Sequence, residues 1–218
     1  LDELGFWHGV FHAASLPREM RCPKGPDDGI LVDMSLGSLA RRSFDYQARY
    51  CEENVWRLLA RPELERCRAW AVIVSNEVGH FFALRQSAGR PGDGLVCWDY
   101  HVFAVAEETD GQRWVLDFDS ELEFPCPLTD YLVETFVPLR SQPSAPLFRL
   151  MTATDYLTKL SSDRSHMRHP DGTYLASPPP WPAPSGDGNT LMEWIDVTCS
   201  APGLLLDLDS LSAFARSG

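Results

Sequence analysis

Cys51 stands directly before a run that reads as a helix. Val55, Leu58 and Leu59 recur at helical spacing, and Glu52 and Glu53 fall in the first turn, where the helix dipole favours acids. Backbone N–H groups at a helix start have no partner inside the helix, so a cysteine there is expected to have a lowered pKa and to act as a nucleophile. Such a thiol needs a base. Of the six histidines, His101 lies in the middle of the strongest strand pattern, Val96 to Ala106, where an imidazole needs a polar partner. A carboxylate beside it would fix the ring tautomer and stabilise the imidazolium, as the third member of a catalytic triad does. Asp117 and Asp119, on and just past the next strand pattern, are the acids within reach. The bland alternative is a small buried thiol, a satisfied core histidine and two solvated hairpin acids.

These residues depend on the elements that carry them. Thr109, Asp110 and Gly111 separate Val96–Ala106 from a strand pattern at Trp114–Phe118 and read as a hairpin turn. If the paired residue numbers add to an odd sum, His101 faces Ser120 and Asp117 points to the other face. If a three-residue loop with Gly111 in the left-handed region makes the sum even, His101 lies opposite Asp119, with Asp117 its diagonal neighbour. Composition alone leaves both registers open. Elsewhere, Ser35 to Arg61 reads as helical, with Leu36, Leu39 and Ala40 on one face before the run that follows Cys51, and Pro62 as the stop. Trp70–Ser75 is a short apolar run that reads as a buried strand, and Phe81–Arg85 as its partner. Residues 90–94 are a turn, residues 177–182 an extended proline run, and Leu204–Phe214 a strand or short helix closing the core. Residues 1–34 read as loop-rich.

Composition narrows the function classes. The 218 residues fit one domain, and 44% apolar residues suffice for a sizeable core. With 19 Lys and Arg against 31 Asp and Glu, the formal charge of −12 suits neither a phosphate backbone nor other polyanions, so no nucleic acid partner is expected. Nine acids and one base lie between Glu107 and Glu134, either a solvated rim or a wall beside a cation site. No apolar run approaches the ~18 residues of a membrane span, and no secretory leader opens the chain, so no membrane partner is expected. Leu1 in place of a Met reads as a fragment or a processed form. Six scattered cysteines without a CxxC pair give no zinc or thioredoxin pattern and suggest free thiols in a reducing, cytoplasmic or nuclear compartment.

A helix-start Cys followed by His and Asp on neighbouring strands is the arrangement of papain-like and transglutaminase-like acyl-transfer enzymes. The surrounding residues are more specific. Tyr50-Cys51-Glu52-Glu53-Asn54-Val55-Trp56 closely resembles the cysteine motif of the protein N-terminal glutamine amidohydrolases. Arg90-Pro91-Gly92-Asp93-Gly94 followed by Trp98-Asp99-Tyr100-His101-Val102 is similar to that family's histidine block. Asp117-Phe118-Asp119 with Phe124-Pro125-Cys126, the run Ser161 to Met167, and Pro178 to Pro182 resemble further blocks, with Trp181 where a tyrosine is expected. The match runs in unbroken order from about Tyr50 to Pro182.

This resemblance implies an α+β fold with a papain- or transglutaminase-like core, an antiparallel sheet packed against the helix whose first residue is the nucleophile. It implies conversion of an N-terminal glutamine to glutamate with release of ammonia, no cofactor, no metal, and a product that is marked for arginylation and degradation. It assigns Cys51 as nucleophile, His101 as base and Asp117, over Asp119, as orienting acid. A site acting only at a chain terminus must read an ammonium, and Glu53 and Asp119 are the candidate acids. Trp98 is carried as a substrate contact, although core or cleft wall is the simpler role for it and for Trp181. Asp163-Arg164 reads as an internal ion pair and His166 as structural. The expected organisation is a single catalytic domain over 1–218, with a core at 46–218 and an extension at 1–45, working as a monomer on the N-terminal Gln of proteins or peptides. The alternatives are a related cysteine protease, transglutaminase or internal-glutamine deamidase, or a silent reader of N-terminal glutamine.

Overall fold

Strand β1 (Arg68–Ser75) is the long apolar run, and its side chains alternate between two cores. Ala69, Ala71 and Ile73 point to one face of the sheet, and Trp70, Val72 and Val74 to the other. Both faces are covered, which is why the strand reads as continuously apolar rather than alternating. A computed structural model describes residues 35–184 and 188–217, all within one unit of the chain, Met34–Gly218. The loop-rich reading of residues 1–34 lies outside the described residues.

The main sheet is antiparallel throughout and has six strands in the order β6-β5-β4-β1-β7-β8. These are β4 (His101–Glu107), β5 (Arg113–Leu116), β6 (Cys126–Pro127), β7 (Leu147–Thr152) and β8 (Leu204–Leu206) beside β1. On one face lie α1 (Cys51–Leu59), α2 (Pro62–Glu65), α4 (Ala153–Lys159) and α5 (Thr190–Ile195), contributing Val55, Leu58, Leu64, Tyr156 and Trp194 to the core. On the other lie α3 (Leu128–Thr135) and α6 (Leu208–Arg216), with Leu128, Tyr131, Leu132 and Leu211. The fold is therefore α+β, with helices on both faces of the sheet.

The hairpin takes the even register. Glu107 pairs with Arg113 and Ala104 with Leu116, and the loop between them closes with Gly111 at φ +89°, a conformation that glycine adopts without strain. The segment from Leu204, read as a strand or a short helix, holds one of each, β8 and α6.

Three expectations are corrected. The helical reading before Cys51 fails: residues 35–50 hold only 3-10 turns at Leu36–Ser38 and Arg41–Ser43. Sideways contacts hold this segment instead. Arg41 donates to the Leu122 carbonyl and sits over the Phe124 ring, and Tyr46 reaches Asp119, so tertiary partners override a weak local preference. Phe81–Arg85 does not pair with β1, since β2 (Phe81–Ala83) pairs with β3 (Val96–Trp98) in a separate two-stranded sheet. The long strand Val96–Ala106 is two strands in two sheets. It breaks at Asp99, whose carboxylate accepts from the Tyr100 N–H and so replaces a ladder bond with a local one. His101 is thus the first residue of β4, at the end of the sheet.

Candidate active site

Cys51 begins α1, His101 begins β4, and α1 packs along β4. Two element starts therefore meet at one end of the sheet. Cys51 packs with the α1 core, while Asp117 lies next to Tyr131 of the opposite core. The backbone of Val102, the residue after His101, lies near enough to Cys51 to favour its ionised form.

His101 is buried, and its Nε2 lies 3.0 Å from Asp117 Oδ1. Asp117 is also held by the Tyr131 hydroxyl, which donates to Oδ2 at 2.8 Å, and by the Asp119 N–H at 3.0 Å. Burial alone would raise the Asp117 carboxyl, but His101 and these donors outweigh it and hold it below the usual carboxylate range. An ionised Asp117 accepts only, so His101 Nε2 carries the proton and Nδ1 is left with a lone pair. Burial works against a charged imidazole too, yet Asp117 first and Asp119 second lift His101 above its ordinary value. Trp98 lies nearly parallel to the imidazole, with 5.5 Å between ring centroids and 11° between planes, and its indole N–H reaches buried Gln86 at 3.4 Å. Trp98 thus fixes one face of the ring while Asp117 fixes its edge.

The thiol departs from expectation. A helix start should lower its pKa, but burial, then the neighbouring Glu52 and Asp119 carboxylates, push it well up, and the Val102 backbone only partly opposes them. The sulfur lies 3.8 Å from Glu52 Oε2, so its neighbours oppose ionisation instead of favouring it. Cys97 and Cys199 are exposed, so alkylating reagents reach them at least as readily as Cys51. All five described cysteines are free.

The two acids proposed for an ammonium differ. Glu53 is fully buried, and its oxygens take both Arg164 nitrogens at 2.7 Å and the Trp181 indole N–H at 2.9 Å. Arg164 also donates to the Trp181 carbonyl, so this group ties α1 to the proline run. Removing one partner of such a pair costs about 3–5 kcal/mol. The Glu53 oxygens are thus taken up within the fold, by Arg164 and Trp181. The ion pair read as Asp163-Arg164 is in fact Arg164–Glu53, while Asp163 accepts from the Ser165 N–H. Asp119 is different. It accepts from the Tyr46 hydroxyl at 2.6 Å and sits beside His101 and Asp117. Burial, with Asp117 adding to it, holds its carboxyl above the usual range despite His101 and Tyr46. Elsewhere the acidic stretch is paired or exposed, with Glu107 on Arg68 and Arg113 and Glu134 on Arg85.

His101, Asp117 and Asp119 bring one ligand atom each within 4.8 Å of one another, close enough for a metal. Asp117, however, already accepts three hydrogen bonds and holds His101 by one of them, so the arrangement is an oriented imidazole rather than an open ligand set. Sequence reasoning missed Tyr46, Gln86 and Tyr131. The one available signal was that a tyrosine in an apolar helix face needs a partner for its hydroxyl.

A family model described as N-terminal glutamine amidase matches residues 46–215. The chain is 42% identical over 153 residues to the protein N-terminal glutamine amidohydrolase of Drosophila willistoni, spanning 66% of this chain and 74% of that protein. It is 43% identical over 145 residues to that of Drosophila ananassae, spanning 63% and 70%. It is 37% identical over 169 residues to that of Caenorhabditis briggsae, spanning 75% and 90%. No helix among the described residues is long and apolar enough to cross a membrane.

Proposed function

The chain belongs to the N-terminal glutamine amidase family, and from that membership we propose that it hydrolyses the side-chain amide of an N-terminal glutamine, leaving glutamate and ammonia. The observation that carries the reading is the imidazole of His101, held on Nε2 by Asp117 at the start of β4, the strand along which the helix that begins with Cys51 packs. Cys51 is the nucleophile, His101 the base and Asp117 the orienting acid, in a papain- or transglutaminase-like core.

Because the thiol rests neutral, His101 Nδ1 takes its proton as sulfur attacks the amide carbon. The negative charge that develops on the amide oxygen falls near the Cys51 N–H at the start of α1, a donor with no partner inside the helix. The C–N bond then breaks, and the nitrogen leaves as ammonia with the proton from His101. A thioester remains. Water gives a proton to His101 and adds to the thioester carbon. Sulfur leaves, regains the proton, and glutamate is released. Trp98 keeps the imidazole plane fixed through both proton transfers. We place the enzyme as a monomer in the cytoplasm or nucleus, upstream of arginylation and degradation of its product, with one catalytic domain over the chain.

Asp119 reads the α-ammonium. Its raised carboxyl reflects a buried acid with too little positive charge around it, and an ammonium would supply that charge. The test compares ammonia release from a free Gln peptide and its N-acetylated form. Only the free peptide should react, and its apparent affinity should weaken as pH rises through about 7.7–8.0, where an α-amino group loses its proton. Asp119→Asn should raise KM more than it lowers kcat. Efficient deamidation of the acetylated peptide would contradict recognition of the terminus.

A further inference from the structure

Glu52, the residue after Cys51, and His166, which lies against it, each carry a buried polar atom with no hydrogen-bond partner, Glu52 Oε1 and His166 Nδ1. Glu52 is fully buried. Its Oε2 accepts from the Tyr100 hydroxyl at 3.1 Å and faces the Cys51 thiol at 3.8 Å. Its Oε1 lies 3.4 Å from His166 Nε2, which is 3.3 Å from the same Tyr100 hydroxyl. The Tyr156 hydroxyl donates to the Glu52 backbone carbonyl and holds this turn of α1 in place. The contrast with Glu53 is direct. Of two adjacent first-turn acids, one is saturated by Arg164 and Trp181, and the other is left beside the thiol with unused accepting capacity.

An acceptor in that position meets the reacting group. A carbon under attack stands about 3–3.5 Å from the attacking atom, and an amide nitrogen is about 1.33 Å from its carbon. The nitrogen of the scissile amide therefore lies in the shell around the sulfur that Glu52 Oε2 also occupies. When the thiol proton passes to His101, Oε2 loses that donor, and the amide NH2 brings its own. A carboxylate only accepts, so it favours an amide and opposes a second carboxylate at the same place. Resting on the deamidase reading above, we propose that Glu52 is the specificity residue that tells carboxamide from carboxylate, accepting from the glutamine side-chain N–H and driving off the glutamate product. The Tyr100 and His166 side chains keep it aimed at the sulfur.

The experiment is titration calorimetry on the Cys51→Ala protein with two peptides that differ only in residue 1, Gln against Glu. The Gln peptide should bind at least about tenfold tighter, because a site built to accept from a substrate N–H discriminates strongly against an analogue that lacks it. Adding Glu52→Gln should erase that preference, chiefly by strengthening the Glu peptide. Equal binding of both peptides with Glu52 in place overturns the proposal without requiring the buried variant to fold. An unchanged preference in a folded Glu52→Gln protein overturns it as well. Failure of the wild-type protein to release ammonia from the Gln peptide would bring down the underlying deamidase reading, and the proposal with it.

Discussion

Cys51→Ala is expected to abolish ammonia release while leaving the fold intact. The side chain is half-buried, and its sulfur has one weak side-chain partner, Glu52 at 3.8 Å. The α1 helix stays docked through buried Val55, Leu58 and Leu59, and through the Asn54 side chain, which bonds the Gln47 N–H and carbonyl at 2.8 Å each. No other described cysteine stands at the start of α1: Cys97 and Cys199 are exposed, Cys126 packs in the opposite core, and the Cys67 thiol faces the Glu63 carbonyl. Loss of the nucleophile in a serine triad costs on the order of 10⁶ in kcat, and a similar fall is expected here. A thermal midpoint close to wild type, measured beside the lost activity, separates loss of chemistry from loss of structure. Near-normal turnover would remove Cys51 from the mechanism.

Asp117→Asn is expected to lower turnover by roughly 10⁴, the size of the corresponding change in a serine protease triad. An asparagine can no longer demand the Nε2–H tautomer, and it leaves the Tyr131 hydroxyl and Asp119 N–H competing for one amide oxygen. The pH profile carries a second signature. His101 must be neutral to accept the thiol proton, so activity rises with pH as the imidazole deprotonates. In the wild type that limb lies above the ordinary imidazole value, because Asp117 and Asp119 outweigh burial. Without the Asp117 charge the larger effect, burial, is less opposed, so the limb moves to lower pH. Asp119→Asn should cost much less turnover, since Asp119 bonds Tyr46 and not the imidazole. Equal damage from the two variants would contradict the division of roles between them.

Much of this site is legible in the sequence. The helix from Cys51, the hairpin between β4 and β5 and its two allowed registers follow from periodicity and turn chemistry, and the even register is the one adopted. What stayed hidden depends on contacts between distant segments. The strand pattern around His101 has no composition break, yet Asp99 interrupts it and delivers the imidazole to the end of the sheet. Adjacent Glu52 and Glu53 look alike in sequence, and only the distant Arg164 and Trp181 distinguish them. For the thiol the sequence shows only the helix dipole, whereas burial and two nearby acids outweigh it. The dipole effect is typically 0.3–1 kcal/mol, small beside the desolvation of a buried ionised group.

The most direct test of the central claim uses one peptide with glutamine both at position 1 and inside the chain. It is incubated with the wild-type protein, and the converted residue is then located by fragment mass spectrometry alongside an ammonia assay. The account expects the amide-to-acid mass change at residue 1 alone, with ammonia released in equal amount. Conversion of the internal glutamine, cleavage of the backbone, or an unchanged peptide under conditions where the protein is folded would contradict it.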